Sequence, residues 1–484
     1  MQPVDNSIDA ETLKQLFQKS ADVQFQDYTF NQRKVMFITC EAMIDQHLLN
    51  DVIVERVQLF FNAFYGISFE NAVISHLHIP ALKKVETLNE ILSDVYAGNV
   101  VLYFEDYHTI YSSNISKKPN RNPEETKTEV SVKGPRDNFI EDIATNIALI
   151  RKRLPTNSLC VEKFEVGKRT KTTVALLYFD DIADKDILNR IKEEINKVDI
   201  DIMYSGNILM EHIDKHPTLL PKHDYTGRPD YAIQTLARGR FVILIDGVSY
   251  AVIIPVSLFQ LFKTGEDNEN SIFFSSFERL IRLTGLLVGT LLPAFWLALT
   301  TFHQNQLPLQ LLATIVQSNT GLPFPTALEM SLMIFMFELF REFGLRLPAA
   351  IGGTISVVGG LIIGDASIRA GITSPAMIVV IATSMIASYT LVNQSLVSAV
   401  SILRFSYILL AAFFGLFGFF VALYFTILYV ANMRTFGVPY LILTEDLNWS
   451  TILRSLIRPP GKYYAKRPDE LHPTDKTRKK NEEN

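Results

Sequence analysis

Two carboxylates, Glu329 and Glu338, stand inside the apolar run Leu322 to Phe340, where an ionised side chain is costly unless it is paired or functional. They could form one acid–base site only by sharing a helix face, and nine positions turn a helix through about 900°, which sets them on opposite faces. Glu338 has a ready partner in Arg341 at i+3, and an ion pair near the cytoplasmic end accounts for it. Glu329 has no such neighbour. It needs a partner on another helix, protonation, or contact with water, and is the stronger functional candidate of the two.

Histidine offers less. His76 and His78 alternate on a short strand-like stretch, and His212 and His216 lie one helical turn apart with Glu211 and Asp214 nearby. No third ligand of a zinc site is in clear reach, so no metal or other cofactor is expected. No GxGxxG after a strand, Walker loop, HExxH or GxSxG occurs, and no catalytic residues or enzymatic activity are expected. The polar part of the chain shows no concave polar constellation, so tight binding of a small polar ligand is not expected there.

The segment Pro348 to Gly364 carries Gly352, Ser356 and Gly360 at helical spacing. Small residues so placed let helices approach closely, and a packing seam is their commoner use. The segment is also free of charge and bounded by Arg346 and Asp365, as an apolar pore constriction would be. In a ring-shaped channel Thr354, Val357, Val358 and Leu361 would include the residues facing the axis, closing it by dewetting.

These residues presuppose a membrane. The chain of 484 residues has 46 Lys and Arg and 51 Asp and Glu, yet only eight of these lie between Leu283 and Met433. A water-soluble domain of that size could not solvate its surface with so few. The apolar segments are Leu283 to Phe302 with Pro293 inside it, Leu322 to Phe340, Leu347 to Gly364, Pro375 to Leu396 and Phe405 to Met433. Leu307 to Val316 is too short to span. Pro293 leaves a carbonyl without its intrahelical donor, which neighbouring helices must satisfy. Arg279 and Arg282 before the first span, and ten Lys and Arg after Met433, place the N-terminal region and tail in the cytoplasm. An inside tail requires an even number of crossings, so either Leu307 to Val316 joins a neighbour to cross or the Gly-rich segment is re-entrant.

The polar region reads as two α/β subdomains of similar plan. The run Lys34 to Asp45 is matched 139 residues on by Thr173 to Asp184, and Ala97 to Asp106 is matched 141 residues on by Arg238 to Gly247. In both copies of the second run a Gly closes a helix, Gly98 in the first and Gly239, before Arg240, in the second, and Asp246-Gly247 reads as a hairpin turn, where Gly accepts a positive φ. A helix is expected over Asn138 to Arg153, with Arg151, Lys152 and Arg153 at the negative end of its dipole. The expected divisions are a first subdomain over 1–111, a flexible linker over 112–137, a second subdomain over 138–276, a membrane domain of four to six spanning or re-entrant helices over 277–433, and a tail over 434–484. Cys40 and Cys160 lie far apart in apolar runs and read as buried thiols. A net charge of −5 gives no field for nucleic acid. Met1 to Ser20 lacks an unbroken apolar run, so no cleavable signal is expected.

Several strings resemble the A subunits of GerA-type spore germinant receptors: GPRDNFIEDIATNIALIRKRL (Gly134 to Leu154), RPD (Arg228 to Asp230), GRFVILIDG (Gly239 to Gly247), FERLIRLTGLLVGTLLPAFWLAL (Phe277 to Leu299), PFP with Glu329 downstream, FELFREFGLRLP (Phe337 to Pro348), SVVGGLIIGDA (Ser356 to Ala366) and FGVPY (Phe436 to Tyr440). SpoVAF-type paralogues share the membrane motifs. The resemblance implies a place in the spore inner membrane, beside a transporter-like B subunit and a lipoprotein C subunit, within a receptor that initiates germination. A homo-oligomer in contact with membrane lipid, conducting ions or passing on a signal, is the expected form, and a secondary transporter or solute-permeation protein of the bacterial inner membrane is the alternative.

Overall fold

The computed structural model describes residues 8–64, 68–117, 135, 137–214, 218–346, 364–441, 457, 458, 467 and 469–477. Two compact units emerge. One takes the described parts of 1–217, 223–255 and 461–484, the other those of 218–222 and 256–460.

The first unit contains two five-stranded sheets. One comprises β1 (Val23–Phe30), β2 (Arg33–Cys40), β3 (Lys83–Val85), β4 (Asn99–Phe104) and β5 (Thr109–Asn114); the other β6 (Leu159–Val166), β7 (Thr172–Phe179), β8 (Asp224–Thr226), β9 (Phe241–Ile245) and β10 (Ala251–Ile254). Their strand orders are β1-β2-β4-β5-β3 and β6-β7-β9-β10-β8, the same path traced twice. Every pairing is antiparallel. The 139-residue repeat is thus an architectural one, β2 corresponding to β7. Strand β5 extends three residues past Tyr111, into the stretch read as linker.

Layering explains the sequence pattern. Val35 and Phe37 of β2 pack with Leu102 and Phe104 of β4 against α2 (Glu55–Ala63) and α3 (Phe69–His76). Met36 and Ile38 point the other way, toward α1 (Ala10–Leu16) and α4 (Leu88–Ala97). A strand covered on both faces has no polar side to show and reads as a continuous apolar run. In the second sheet Val161, Leu177, Val242 and Leu244 pack under α5 (Ile143–Arg151) and α8 (Pro229–Leu236). There, α6 (Lys185–Asn196) buries Ile187, Leu188, Ile191 and Ile195 at helical spacing, and α7 spans Gly206–Ile213.

Two expectations need correction here. The helix expected from Asn138 starts only at Ile143, because Asp142 caps it by accepting from the Thr145 amide at 2.8 Å and the Asn146 amide ties down the Ile140 backbone. Arg151 is not a solvated dipole partner. It is fully buried, donates from Nε and Nη2 to the two carboxylate oxygens of Asp22 at 2.9 and 2.8 Å, and stacks 4.3 Å from the Tyr96 ring centroid. Residues 19–21 run alongside Val161 of β6, so this ion pair joins the two subdomains. Cys40 and Cys160 are free and buried, and burial, with Asp22 second, pushes the Cys40 thiol up.

The second unit is helical: α9 (Ile272–Phe302), α10 (Leu309–Asn319), α11 (Thr326–Arg346), α12 (Pro375–Tyr389) and α13 (Gln394–Asn432). Of these, α9 and α13 are long and apolar enough to cross a membrane. The segment expected to run to Leu396 stops at Tyr389, and Asn393, accepting from the Leu396 amide at 3.1 Å, caps the next helix. That helix is broken at Gly415, whose φ of 60° and ψ of −139° suit only a residue without Cβ. Helix α9 starts eleven residues before Leu283 because Ser271 caps it and Asp267 binds Arg279 at 2.7 Å and Arg282 at 3.0 Å. Burial alone would raise the Asp267 carboxyl, but the two guanidinium groups bring it below its ordinary value. The FGVPY string closes a small hairpin with Phe436 and Gly437 at positive φ, and the Tyr440 carbonyl accepts from the Leu258 amide.

Candidate functional site in the helical bundle

Helix α11 supplies the acids. Glu329, in its first turn, is buried and accepts from the Thr373 hydroxyl and the Ser374 amide, each at 2.7 Å. Ser374 caps α12, so the carboxylate rests at the positive end of that helix. Its partner is therefore on another element, the first of the three possibilities left by the sequence.

Glu338 pairs with Arg341 at 2.9 Å, and Arg341 donates from Nη1 to the Ser401 hydroxyl of α13 at 2.8 Å. A third charge completes the cluster. Arg404 of α13 is 1 % exposed. Its Nη1 lies 3.6 Å from Glu338 Oε1, its Nη2 donates to the Ser388 hydroxyl of α12, and its Nε donates to the Gly289 carbonyl of α9 at 2.7 Å. That carbonyl is the one Pro293 leaves without an intrahelical donor, being four residues before it. The Ser384 hydroxyl donates to it too, at 2.9 Å. One guanidinium thus joins α9, α11, α12 and α13.

Close approach of α9 and α12 makes this possible. A methyl group on Gly289 would fall 2.7 Å from the Ser388 hydroxyl oxygen, and one on Gly285 would fall 2.6 Å from the Ala387 carbonyl oxygen. Gly285 and Gly289 form a GxxxG seam. Sequence reading placed the seam at Gly352, Ser356 and Gly360; these, with Thr354, Val357, Val358 and Leu361, lie outside the described residues.

Arg404 and the Gly285 seam were both missed, and both had signals. Arg404 is the sole charged residue between Arg369 and Arg434, and GLLVG is a small-xxx-small string inside an apolar run.

The remaining candidates belong to the α/β unit. Gly239 and Gly247 have φ of 93° and 79°. Gly239 closes the turn after α8, its amide donating to the Leu236 carbonyl at 2.9 Å. Asp246 and Gly247 open a five-residue loop between β9 and β10; Asp246 accepts from the Ile143 amide at the start of α5, and Gly247 donates to the Glu141 carbonyl at 2.7 Å. Arg240 is more than a turn residue. It is 2 % exposed, donates to the Pro255 carbonyl and holds Glu470 of the tail at 2.7 Å. Leu471 is buried beside it, and the Thr474 amide donates to the Ile182 carbonyl.

His76 ends α3 and His78 follows with a φ of 42°, so the two do not alternate on a strand. His212 lies on α7, and His216 lies outside the described residues. No group of three metal-binding side chains occurs among the described residues. One concavity was not foreseen: a cavity of about 470 Å³ in the first subdomain, lined among others by Arg56, Phe60, Phe64, His76 and His78.

Among known proteins, the family model described as Bacillus/Clostridium GerA spore germination protein matches residues 11–470. Spore germination protein XA of Bacillus anthracis is 40% identical over 458 residues, 93% of this chain and 92% of that protein. Spore germination protein KA of Bacillus subtilis (strain 168) is 29% identical, over 97% of this chain and 87% of that protein. A solved structure, the N-terminal domain of the A subunit of the Bacillus megaterium spore germinant receptor GerK3, covers 51% of this chain and 94% of its own, with 23% identity and a TM-score of 0.40.

Proposed function

The chain belongs to the Bacillus/Clostridium GerA family of spore germination proteins, and from that membership we propose that it is the A-type subunit of a nutrient receptor that initiates spore germination. In this reading it resides in the spore inner membrane with the N-terminal region and tail in the cytoplasm, beside a transporter-like B subunit and a lipoprotein C subunit. It acts as an ion-conducting or signal-transducing component, assembled with copies of itself and in contact with lipid. In this reading the gate is the charge-free segment Pro348 to Gly364, and Thr354, Val357, Val358 and Leu361 are its candidate gating residues.

The observation that carries the signalling part is the Arg404 junction. A displacement of any one of α9, α11, α12 and α13 must break or remake bonds to a buried guanidinium, and packed elements of that kind switch between arrangements rather than deform smoothly.

A second reading, a solute transporter, draws on the break at Gly415, since transporters build sites from interrupted helices. Reconstituting the purified chain, determining its stoichiometry, and comparing ion flux with solute accumulation separates the two. Electrogenic flux without saturation is expected; saturable uptake of a nutrient would replace the receptor reading by the transporter one.

A further inference from the structure

The Arg404 cluster does not balance its charge. Arg341 and Arg404 bring two positive charges and Glu338 one negative, at 2.9 and 3.6 Å. Arginine cannot shed its proton to relieve the excess, as a lysine could. The other acids between Leu283 and Met433 are engaged elsewhere. Glu342 pairs with Arg346 at 2.6 Å and Asp365 with Arg369 at 2.7 Å, both exposed. Glu329 binds at Ser374, and Arg404 at Ser388, fourteen residues further along the same chain, which is about 21 Å of helix. Residues 347–363 contain no ionisable side chain, so they cannot supply the missing charge.

A surplus charge in an apolar bundle is costly without a counter-charge. The cluster is also accessible: the side chains of Glu338 and Arg341 are 15 % and 16 % exposed, and Arg341 Nε is buried without a hydrogen-bond partner among the described residues. Half-exposed Tyr389, at the end of α12, stands within electrostatic reach of all three charges, and its hydroxyl is a further donor. Arg341 Nε is the donor left over, while Arg404, whose three nitrogens are engaged by Gly289, Met385 and Ser388, adds its positive charge behind it, and a guanidinium donor in a positive field suits an oxyanion.

We propose that Arg341, with the uncompensated charge of Arg404 behind it, binds a phosphate oxyanion that enters past Tyr389. The oxyanion belongs to an anionic phospholipid headgroup or to inorganic phosphate. This inference goes beyond the receptor reading and stands or falls separately from it.

The test uses the full-length chain in maltoside micelles free of phosphate, with thermal unfolding followed as phosphatidylglycerol or inorganic phosphate is added. One of the two is expected to raise the wild-type Tm in a saturable way, beyond chloride at equal ionic strength. A response to phosphatidylglycerol alone identifies the lipid, and a response to inorganic phosphate identifies the free anion. Arg341→Gln should weaken the response about tenfold, the loss of one charge-assisted hydrogen bond. Glu338→Gln removes the competing carboxylate and should keep or strengthen it. Equal responses from wild type and Arg341→Gln, or no response beyond that to chloride, would overturn the proposal. If Arg341→Gln fails to fold, Glu338→Gln decides: a response weaker than wild type counts against anion binding.

Discussion

Arg404 donates to the carbonyl of Gly289 at 2.7 Å, and this is the carbonyl that Pro293 strips of its intrahelical donor. The proline and the buried arginine are therefore two halves of one feature, although 111 positions separate them in the chain. A helix break creates an acceptor, and an otherwise costly cation uses it.

The two residues should consequently be coupled. Arg404→Gln alone is expected to destabilise the bundle by about 3 kcal/mol, because Glu338 and Gly289 lose a charged donor. Pro293→Ala restores the donor to Gly289, so the double variant should be less destabilised than the sum of the singles by about 1 kcal/mol or more. Unfolding of the four proteins in micelles measures this, and strict additivity would mean the carbonyl bond contributes nothing.

Gly285 leaves no room for a methyl group against the Ala387 carbonyl. Gly285→Ala should cost about 1–3 kcal/mol by forcing α9 and α12 apart. An unchanged melting temperature would show that α9 and α12 can shift freely.

Glu470 holds the tail to Arg240 from a nearly buried position. Glu470→Ala should lower stability by about 3 kcal/mol and speed proteolysis within 469–477 by roughly tenfold or more, since cleavage follows the population of the opened form. An unchanged digestion rate would show that Leu471 and Thr474 hold the tail without the ion pair.

His223 is partly buried, its Nε2 3.1 Å from Asn207 Oδ1, and burial pushes its pKa down to about 4 from 6.5. Between those values the unfolded chain takes up a proton that the folded one does not, so stability falls as pH drops from 6.5 to 4 and levels off below. The contribution is about 1–3 kcal/mol. His223→Gln should flatten that part of the stability profile; identical wild-type and variant slopes would mean the imidazole stays accessible to solvent.

Val358→Ser or Val357→Ala should leak ions and trigger the receptor without nutrient if the Pro348 to Gly364 segment is the gate, since polar or smaller side chains ease wetting of a narrow neck. Cysteines at Val357, Val358 and Leu361 should then react with a water-soluble thiol reagent in the activated state. Lowered assembly without any leak would mark the segment as a packing seam.

What could be read ahead of the structure follows from how local each signal is. Strands β2, β4, β7 and β9 stood out because they are central and covered on both faces. Strands β1 and β3 were invisible as edges: β1 mixes Gln24, Gln26, Asp27 and Thr29 with apolar residues out of strict alternation, a pattern no single window separates from loop. The Glu338–Arg341 pair was legible because both partners share one helix. The partner of Glu329 lies 44 residues on, and the contacts of Arg404 reach α9, α11 and α12; no spacing rule encodes a meeting of four helices. Arg151 was misread for the same reason, because the dipole of its own helix is visible in the sequence and Asp22, 129 positions earlier, is not.

That separation has a consequence during synthesis. At ordinary translation rates of about 5–20 residues per second, Asp22 emerges roughly 6–26 s before Arg151. For that interval the first sheet can close only around a solvated carboxylate, or with its Asp22 edge still open, because burial without the guanidinium would cost several kcal/mol. The first subdomain is therefore a nascent-chain intermediate that waits for its twin, exposed in the meantime to chaperones and proteases. A fragment that stops short of Arg151 would preserve that waiting state rather than reproduce half of the finished protein.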